Sequence, residues 1–229
     1  MDQARTTGAM TRRQQAEISR QRIERAAFKL FYGIGYRDSS YTMIAQECGL
    51  GRPLVQHHFP RKEDLAAAFL TRALELVFQS MVPQQSAKLH PLIRLTHIEQ
   101  VICALLLTDA NMRRFTLEAF SSRNITKRFV LANADHSARI VGREDQDTSE
   151  LANACIKAYG GIYELMFRAL DEGIELDSTD LALQSVSALA ALALDRNHQD
   201  TTAFLVRNAL TTEDLMGIVP AFLEALLRG

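Results

Sequence analysis

The chain has 229 residues, of which 47% are hydrophobic and 23% charged, a balance typical of a soluble globular protein that can bury a substantial core. It has no Trp and only five Pro, a composition that favours helices. Its three cysteines are widely spaced, so we expect buried free thiols in a reducing cytoplasm rather than a disulfide framework. No apolar run reaches membrane-spanning length and the start lacks a secretory signal, which argues against a membrane partner and indicates a cytoplasmic protein.

The net charge of −1 conceals an uneven distribution along the chain. Residues 1–62 carry 11 Lys and Arg against five Asp and Glu, a net of +6, whereas residues 63–229 carry 15 against 22, a net of −7. A basic first part on an acidic remainder suits contact with DNA phosphates. Charge alone leaves open the alternative that an Arg-rich amphipathic helix is simply well solvated.

The first predicted helix follows a polar tail, residues 1–10, which we expect to be disordered. Thr11 and Gln14 resemble a capping box, in which each side chain bonds the backbone N–H of the other. Gly33 and Gly35 are expected to end this helix. One of its faces carries an apolar stripe at helical spacing, made of Ile23, Ala26, Ala27, Leu30, Phe31 and Ile34.

Residues 39–65 predict two short helices joined by a glycine turn. Ser39 or Ser40 can cap the first helix, and Gly49 stands where a helix end favours a left-handed residue. Pro53 suits the first turn of the second helix. The apolar side of this second helix is predicted to hold Leu54, Val55, His58 and Phe59. This is the helix-turn-helix arrangement, whose second helix enters the major groove of DNA.

A long helix from Lys62 to about Met81 is predicted to connect this first part rigidly to the rest of the chain. The remainder is predicted to form helices separated by polar breaks, with Ser178 and Thr211 as caps. Their predicted ranges are about 91–107, 110–121, 124–142, 149–172, 178–195, 201–210 and 212–227. The prediction is an all-α chain of nine or ten helices, divided into a three-helix domain over residues 11–62 and a larger helical domain over residues 63–229.

Four consecutive elements carry a resemblance to a known family. They are Ile44-Ala45, Gly49-Leu50, His57-x-Phe59-Pro60 and Lys62-Glu63-x-Leu65. In order and spacing they resemble the DNA-binding domain of the TetR/AcrR family of bacterial transcriptional regulators, and the similarity covers about residues 12–75. It implies a sequence-specific, homodimeric DNA-binding regulator, a repressor released by a small-molecule effector. The implied partners are a double-stranded DNA operator, a second copy of the chain, and an effector whose identity the sequence does not show.

The second helix of the motif exposes few side chains, so the candidates for reading DNA bases are few. Arg52 can bridge two acceptors of guanine, Gln56 can pair with adenine, and His57 can bond a base edge or a phosphate. Contacts with phosphates set the register on DNA rather than the sequence preference. We expect them from Ser39, Ser40, Tyr41, Thr42 and Lys62.

Three positions depart from the family's pattern. Gly51, Leu54 and Gln56 stand where the family usually has a capping hydroxyl, a Thr and a Tyr. Their presence motivates an alternative function, a helical ligand-binding or protein-interaction module in which DNA binding is weakened or lost.

The second domain is expected to hold an effector pocket and a dimer interface. Helices 149–172 and 178–195 are rich in small residues, which lets helices approach closely, as the family's four-helix dimer bundle implies. The alternative is packing of these two helices within one chain. The pocket candidates, each of which could equally be plain core, are Phe69, Phe78, His97, Phe115, Phe120, Phe129, Tyr159, Tyr163 and Met166.

The sequence carries no signature of an enzyme. It has no HExxH, no glycine-rich phosphate loop, no GxSxG and no paired cysteine ligands. We therefore expect no catalytic residue, no cofactor and no metal. The neighbouring His57 and His58 point about 100° apart on a helix, which does not suit a shared metal ion.

Overall fold

The computed structural model describes residues 11–81, 89–141, 148–194 and 197–228, and all regular structure in these ranges is helical. The all-α prediction is confirmed, but the expected nine or ten helices are eleven within the described residues. The expected disordered tail, residues 1–10, lies outside them. The helices are α1 (Arg12–Ile34), α2 (Tyr41–Cys48), α3 (Arg52–His58), α4 (Lys62–Met81), α5 (Pro91–Leu106), α6 (Ala110–Phe120), α7 (Arg123–Val141), α8 (Thr148–Glu172), α9 (Ser178–Leu194), α10 (His198–Val206) and α11 (Thr212–Arg228).

Helix α1 begins at the predicted capping box, because the side chains of Thr11 and Gln14 each accept the other's backbone N–H. Its apolar stripe is buried, and Ile23 and Phe31 are wholly enclosed. Ile34 was expected on this stripe but is 37% exposed, since the helix ends there. The stripe packs against α2, α4 and α6, and places α1 between the first three helices and the rest of the chain.

Helix α4 joins the helix-turn-helix segment to the remaining helices without a break. It packs against α1, α5, α7 and α11, and Leu65, Leu70, Leu74 and Val77 are fully buried along it. A single hydrophobic core therefore runs from α1–α3 through α4 into the second half of the chain. The predicted boundary between residues 62 and 63 stays a prediction, since it falls at the first residue of this continuous helix.

The larger part of the chain, α5–α11, is called the body below, and α1–α3 the head. In the body, α5 packs against α9, α11 and α4, while α8 packs against α7, α9 and α6. Thr211 caps α11 as predicted, accepting the N–H of Asp214. Asp177, not the predicted Ser178, caps α9, because its carboxylate accepts two backbone N–H groups of the first turn. The three cysteines are buried free thiols, as expected.

Within the described residues, no single helix is long and apolar enough to cross a membrane. Helices α5 and α6 satisfy the length and composition criteria only as a pair, and they are bent by 99° at the break between them.

Candidate nucleic-acid interface

Helix α2 is held at both ends by the residues that the sequence pattern identified. The hydroxyl of Ser40, not Ser39, accepts the N–H of Met43 and caps the first turn. Gly49 ends the helix in the left-handed conformation, with φ 63° and ψ 34°. The next N–H, that of Leu50, then donates to the carbonyl of Ala45 at 3.0 Å. This closing bond satisfies a carbonyl that the helix end would leave free, and it directs the chain into α3.

Helix α3 is anchored by its inner side alone. It begins after Gly51 without a side-chain cap, and Pro53 lies in its first turn. Val55 is fully buried and Phe59 is 2% exposed, so both pack into the core of the head. The hydroxyl of Tyr41 donates to the carbonyl of Phe59 at 2.8 Å, which ties the end of α3 to the start of α2.

The outer face of α3 follows from the position of Val55. Successive helical residues are about 100° apart around the axis, so Pro53 and His57 lie nearly opposite Val55. Leu54 and Gln56 lie about 100° from Val55, one on each side. All four are exposed. The prediction that Leu54 faces the core is therefore wrong: its side chain is 39% exposed. Gln56 and His57 are exposed as predicted, and so is Arg52 in the first turn, which the structure shows is not covered by other helices.

The four candidate phosphate contacts around the start of α2 separate into two groups. Ser40 and Thr42 are exposed beside the first turn. Ser39 is only 2% exposed, and its hydroxyl donates to the carbonyl of Gly35 at 2.6 Å, so it does not face solvent as the prediction required. Tyr41 is half-buried with its hydroxyl bonded inside the head. The geometry therefore favours Ser40 and Thr42 as the residues able to meet a phosphate.

Lys62 lies at the junction of the head with α4. Its ammonium group donates to the carbonyl oxygens of Tyr36, Ser39 and Arg37 at 2.8, 2.9 and 3.2 Å. The Nζ atom also lies 4.5 Å from the centre of the Tyr36 ring. Burial lowers the pKa of Lys62 from its ordinary value and raises that of Tyr36 to about 12. All three donors are thus engaged within the chain, and Lys62 ties the start of α4 to the turn between α1 and α2.

Helix α6 of the body contacts the end of α1 directly. The Nη2 atom of Arg114 donates to the carbonyl oxygens of Tyr32 and Gly33 at 3.0 and 2.9 Å, which are among the carbonyls that a helix end leaves unpaired. Glu118 accepts the backbone N–H of Arg37 at 2.8 Å. These two side chains of α6 therefore hold both sides of the turn that leads from α1 to α2.

Gly35 lies between these two side chains. Its φ of 99° belongs to the region that favours glycine. A Cβ atom there would stand 3.0 Å from a carboxylate oxygen of Glu118 and 3.1 Å from Nε of Arg114. The bare backbone of Gly35 is thus what lets α6 approach the head so closely.

The first turn of α4 is tied to the body on another side. The Glu63 carboxylate accepts bonds from the hydroxyl of Ser122 at 2.6 Å and the amide of Asn124 at 3.1 Å, and these bonds lower its pKa. Asp64 pairs with Arg128 of α7 at 2.8 Å. The hydrogen bonds from α6 to the head and those from α7 and the turn before it to the start of α4 therefore hold both parts against the body.

The candidate pocket residues of the body form two aromatic groups in the core. Phe69 and Phe115 pack edge-to-face at 4.9 Å, beside α1. Phe120, Phe129 and Tyr163 pack together further inside, at ring distances of 4.9 to 5.6 Å. Tyr159 and Met166 are buried as well. Phe78 and His97 lie apart from both groups: Phe78 stacks on His136, and Nε2 of His97 lies 2.6 Å from the Asn208 carbonyl oxygen.

A buried polar network runs through the second aromatic group. Asn133 donates to the Glu99 carboxylate at 2.9 Å and to the Tyr163 hydroxyl at 2.7 Å. The Tyr159 hydroxyl donates to Ser137 at 2.8 Å. Glu99 is 1% exposed, and burial raises its pKa to about 7. The sequence prediction missed this network.

The signal for Glu99 was nevertheless present in the sequence. It falls on the inward stripe of α5, four residues after Leu95 and three before Ile102, both of which are buried. A carboxylate on such a stripe must be buried with partners, but which helices supply those partners is a property of the tertiary structure.

Head, connecting helix and body together define a helix-turn-helix protein whose head is carried by an all-helical body. Residues 23–69 match the family described as bacterial regulatory proteins, tetR family. An HTH-type transcriptional regulator of Staphylococcus aureus is 39% identical over 64 residues, which are 28% of this chain and 35% of that relative. The chain thus matches about a third of the length of the curated relatives.

Solved structures share the fold over most of the chain. FadR of Thermus thermophilus, a TetR-family transcriptional repressor in complex with lauroyl-CoA, aligns with a TM-score of 0.60 at 19% identity, over 78% of this chain and 96% of that one. RolR in complex with resorcinol aligns with a TM-score of 0.59 at 16% identity, over 87% and 99%. A tetR-family regulator of Streptomyces coelicolor has a TM-score of 0.53 at 19% identity, over 93% and 99%.

The match over residues 23–69 confirms the resemblance of the helix-turn-helix segment to the tetR family of bacterial regulatory proteins. At identities below a quarter, the structural neighbours show a shared fold and nothing finer.

Proposed function

We propose that the chain is a homodimeric transcriptional repressor that acts in the cytoplasm, binds a two-fold DNA operator through α3, and is released by a small-molecule effector. The observation that carries the proposal is the exposure of Arg52, Gln56 and His57 on α3, a helix that Val55 and Phe59 hold in the core of the head. A rigidly held helix with exposed polar side chains is what major-groove reading requires.

The proposed DNA contacts follow from the exposed groups of the head. Arg52 bridges O6 and N7 of guanine, Gln56 pairs with adenine, and His57 meets a base edge or a phosphate. Ser40 and Thr42 donate to phosphates beside the start of α2. The net charge of +6 on residues 1–62 adds a sequence-independent attraction. Lys62 contributes by holding the head on α4, because its donors already serve backbone carbonyls.

Helix α8 offers support for the proposed dimer. Gly160 and Gly161 lie in its interior, where glycine costs about 1 kcal/mol each relative to alanine. Among the described residues, a Cβ atom on either would meet no side chain and no neighbouring helix within 4 Å, so packing within this part of the chain does not require glycine there. Ile156 and Leu165 are 36% and 40% exposed and lie at the two edges of the exposed side of α8, because they are nine residues apart on the helix. Two helices of a second copy, as in a four-helix bundle, would cover this side and account for both features.

The contacts of α6 suggest how effector binding could reach the DNA. Arg114 and Glu118 join α6 to the end of α1, so a shift of α6 carries the head with it. In a dimer, such a shift changes the separation of the two α3 helices. Half-sites lie about 34 Å apart on one face of DNA, so a changed separation prevents both heads from binding at once.

We propose that the effector binds among the inner aromatic residues and the Glu99 network. FadR is described with lauroyl-CoA and RolR with resorcinol, two chemically different ligands. Three open clefts lie elsewhere: one of about 470 Å³ between α1, α4, α7 and α11, one between α5, α6 and α11, and one between α6 and the end of α8. The predicted pocket residues line none of the three described clefts, so the proposed site requires the aromatic side chains to move apart.

The test begins with selection of bound fragments from a random DNA pool by the purified protein. Affinity for the selected site is then measured by fluorescence anisotropy between 50 and 200 mM salt. Over this range a protein that contacts several phosphates loses about 10³-fold or more in affinity. Arg52→Ala should relax base preference at one position in each half-site. Arg139→Ala, an exposed arginine of the body, should change nothing. Failure to enrich any sequence, together with salt-insensitive binding, would overturn the proposal.

The alternative, a helical module with weakened or lost DNA binding, is not favoured. The relatives that match the head are HTH-type transcriptional regulators. The absence of a side-chain cap on α3 concerns only its first turn, and Pro53 preorganises that turn.

A further inference from the structure

The exposed side of α3 carries an apolar side chain, Leu54, where the family that the sequence resembles usually has a Thr. Leu54 is 39% exposed and stands beside Pro53, which is exposed too. Neither is among the apolar side chains that pack on the core. Around the helix, His57 lies between Pro53 and Leu54, while Arg52 and Gln56 lie together beyond Pro53. Leu54 therefore lies next to His57 at the edge of the surface assigned to DNA.

The floor of the major groove offers an apolar group of one kind. Guanine, cytosine and adenine present hydrogen-bond donors and acceptors there, whereas thymine also presents its C5-methyl group. The first residues of a recognition helix are those that reach base edges, and Leu54 is the third residue of α3. A leucine aimed at phosphates or at a donor and acceptor pair would lose hydration without a partner.

We infer that Leu54 determines specificity by packing on a thymine methyl group, so that each half-site contains a required thymine. This inference rests on the proposed DNA binding and adds a base that the polar side chains do not specify. Arg52 and Gln56 select guanine and adenine by hydrogen bonds; Leu54 selects thymine by burial of its methyl group.

The size of the effect follows from the burial of one methyl group. Removing one buried CH₂ equivalent costs about 0.8 kcal/mol, which corresponds to about a fourfold loss of affinity. In a two-fold operator the same thymine occurs twice, so removal from both half-sites should cost about 15-fold if the two contacts are independent.

The experiment replaces thymine with deoxyuridine, which deletes the methyl group and leaves every hydrogen-bonding group in place. The full-length protein first selects its operator from a random pool. Each thymine of the half-site is then replaced in turn, and affinities are measured for the wild type, Leu54→Ala, Leu54→Met and Leu131→Ala. Leu131 is a control of the same type, 43% exposed on α7 of the body.

One thymine should stand out: its deoxyuridine form should bind the wild type and Leu131→Ala about fourfold more weakly, whereas Leu54→Ala should bind both forms alike. Leu54→Met keeps an apolar side chain of similar reach and should retain part of the discrimination. Circular dichroism should show equal helicity, because residue 54 packs on nothing in the core.

Two outcomes would overturn the inference and leave DNA binding intact. The wild type could bind every deoxyuridine operator normally, or Leu54→Ala could stay as sensitive as the wild type, which would assign the methyl contact to another side chain. A third outcome, no selected operator at all, would instead overturn the proposed function, and this inference with it.

Discussion

The buried carboxylate of Glu99 makes a prediction that can be worked out from the structure. Glu99→Gln replaces the carboxylate with a neutral group of nearly the same shape, whose amide oxygen can still accept the bond from Asn133. The surrounding titratable groups are Cys103, Cys155, Tyr159 and Tyr163, and burial raises the pKa of each. They stay protonated between pH 5 and 8, so Glu99 is the group in this network that changes charge there.

The direction of the effect follows from the raised pKa. Burial lifts it from 4.5 to about 7, so the folded protein binds this proton more tightly than the unfolded chain does. The associated stability is present in full below about pH 4.5 and is lost as the pH rises through 7. A tenfold difference in proton affinity is worth about 1.4 kcal/mol, which gives a total loss of about 3 kcal/mol.

The assay is urea unfolding followed by circular dichroism at pH 5, 6, 7 and 8. Wild type and variant are compared at one protein concentration, since a dimer's stability depends on it. Between pH 5 and 8, the free energy of unfolding of the wild type should fall by about 2–3 kcal/mol relative to that of Glu99→Gln. Glu213→Gln, at an exposed glutamate of α11, should follow the wild type at every pH.

The reasoning fails if wild type and Glu99→Gln show the same pH dependence. That result would mean that Glu99 keeps the same proton affinity in the folded and unfolded chain, as it would if water reached it. The inner aromatic group would then be open rather than closed.

Three further predictions test the contacts that join head, body and partner. Gly35→Ala should cost about 1–3 kcal/mol of stability, because the added Cβ would meet two side chains of α6 at a position with positive φ. Gly173→Ala is the control: its φ is 69° but the space around it is open, so it should cost less. Equal losses of unfolding free energy in urea would contradict the contact with α6. Gly161→Leu should weaken the dimer in sedimentation velocity by removing the space for a partner helix, and an unchanged dimer would exclude this face. Lys62→Met should destabilise the fold by about 1–3 kcal/mol because three backbone carbonyls, two of them partly buried, lose their donor. At the exposed Arg61, the same replacement with Met should change the free energy of unfolding by no more than about 0.5 kcal/mol. A similar loss at both positions would contradict a stabilising role for the hydrogen bonds of Lys62.

The local elements of the head could be predicted from the sequence because each depends on residues close in the chain. The capping box at Thr11, the serine cap of α2 and the left-handed Gly49 are decided by backbone groups within four residues. The predicted ranges correspond one by one to the eleven helices of the described residues, although their total was given as nine or ten. Ser178 was chosen over Asp177 as a cap, an error that lies in the body, where short polar breaks offer several acceptable ends.

The assignment of side chains to contacts could not be predicted in the same way. Leu54 was expected inside because it is apolar, but α3 is only seven residues long and its inner side is already filled by Val55 and Phe59. Ser39 and Lys62 have the chemistry of phosphate contacts, yet the turn after α1 folds back on them and uses their hydrogen bonds. Composition states what a side chain can bind, and neighbouring helices decide what it does bind.

By itself, the sequence determined the helical fold and the helix-turn-helix head, because periodicity, caps and glycine turns act over short distances. Only the tertiary structure decided which face of α3 is free, how Gly35 admits Arg114 and Glu118, and that Glu99 lies buried beside Asn133. The contacts of Gly35 and Glu99 join residues more than 30 positions apart, where the pattern of one helix carries no information about its partner. The physical reason is that burial and hydrogen-bond satisfaction are properties of the packed chain, not of any segment.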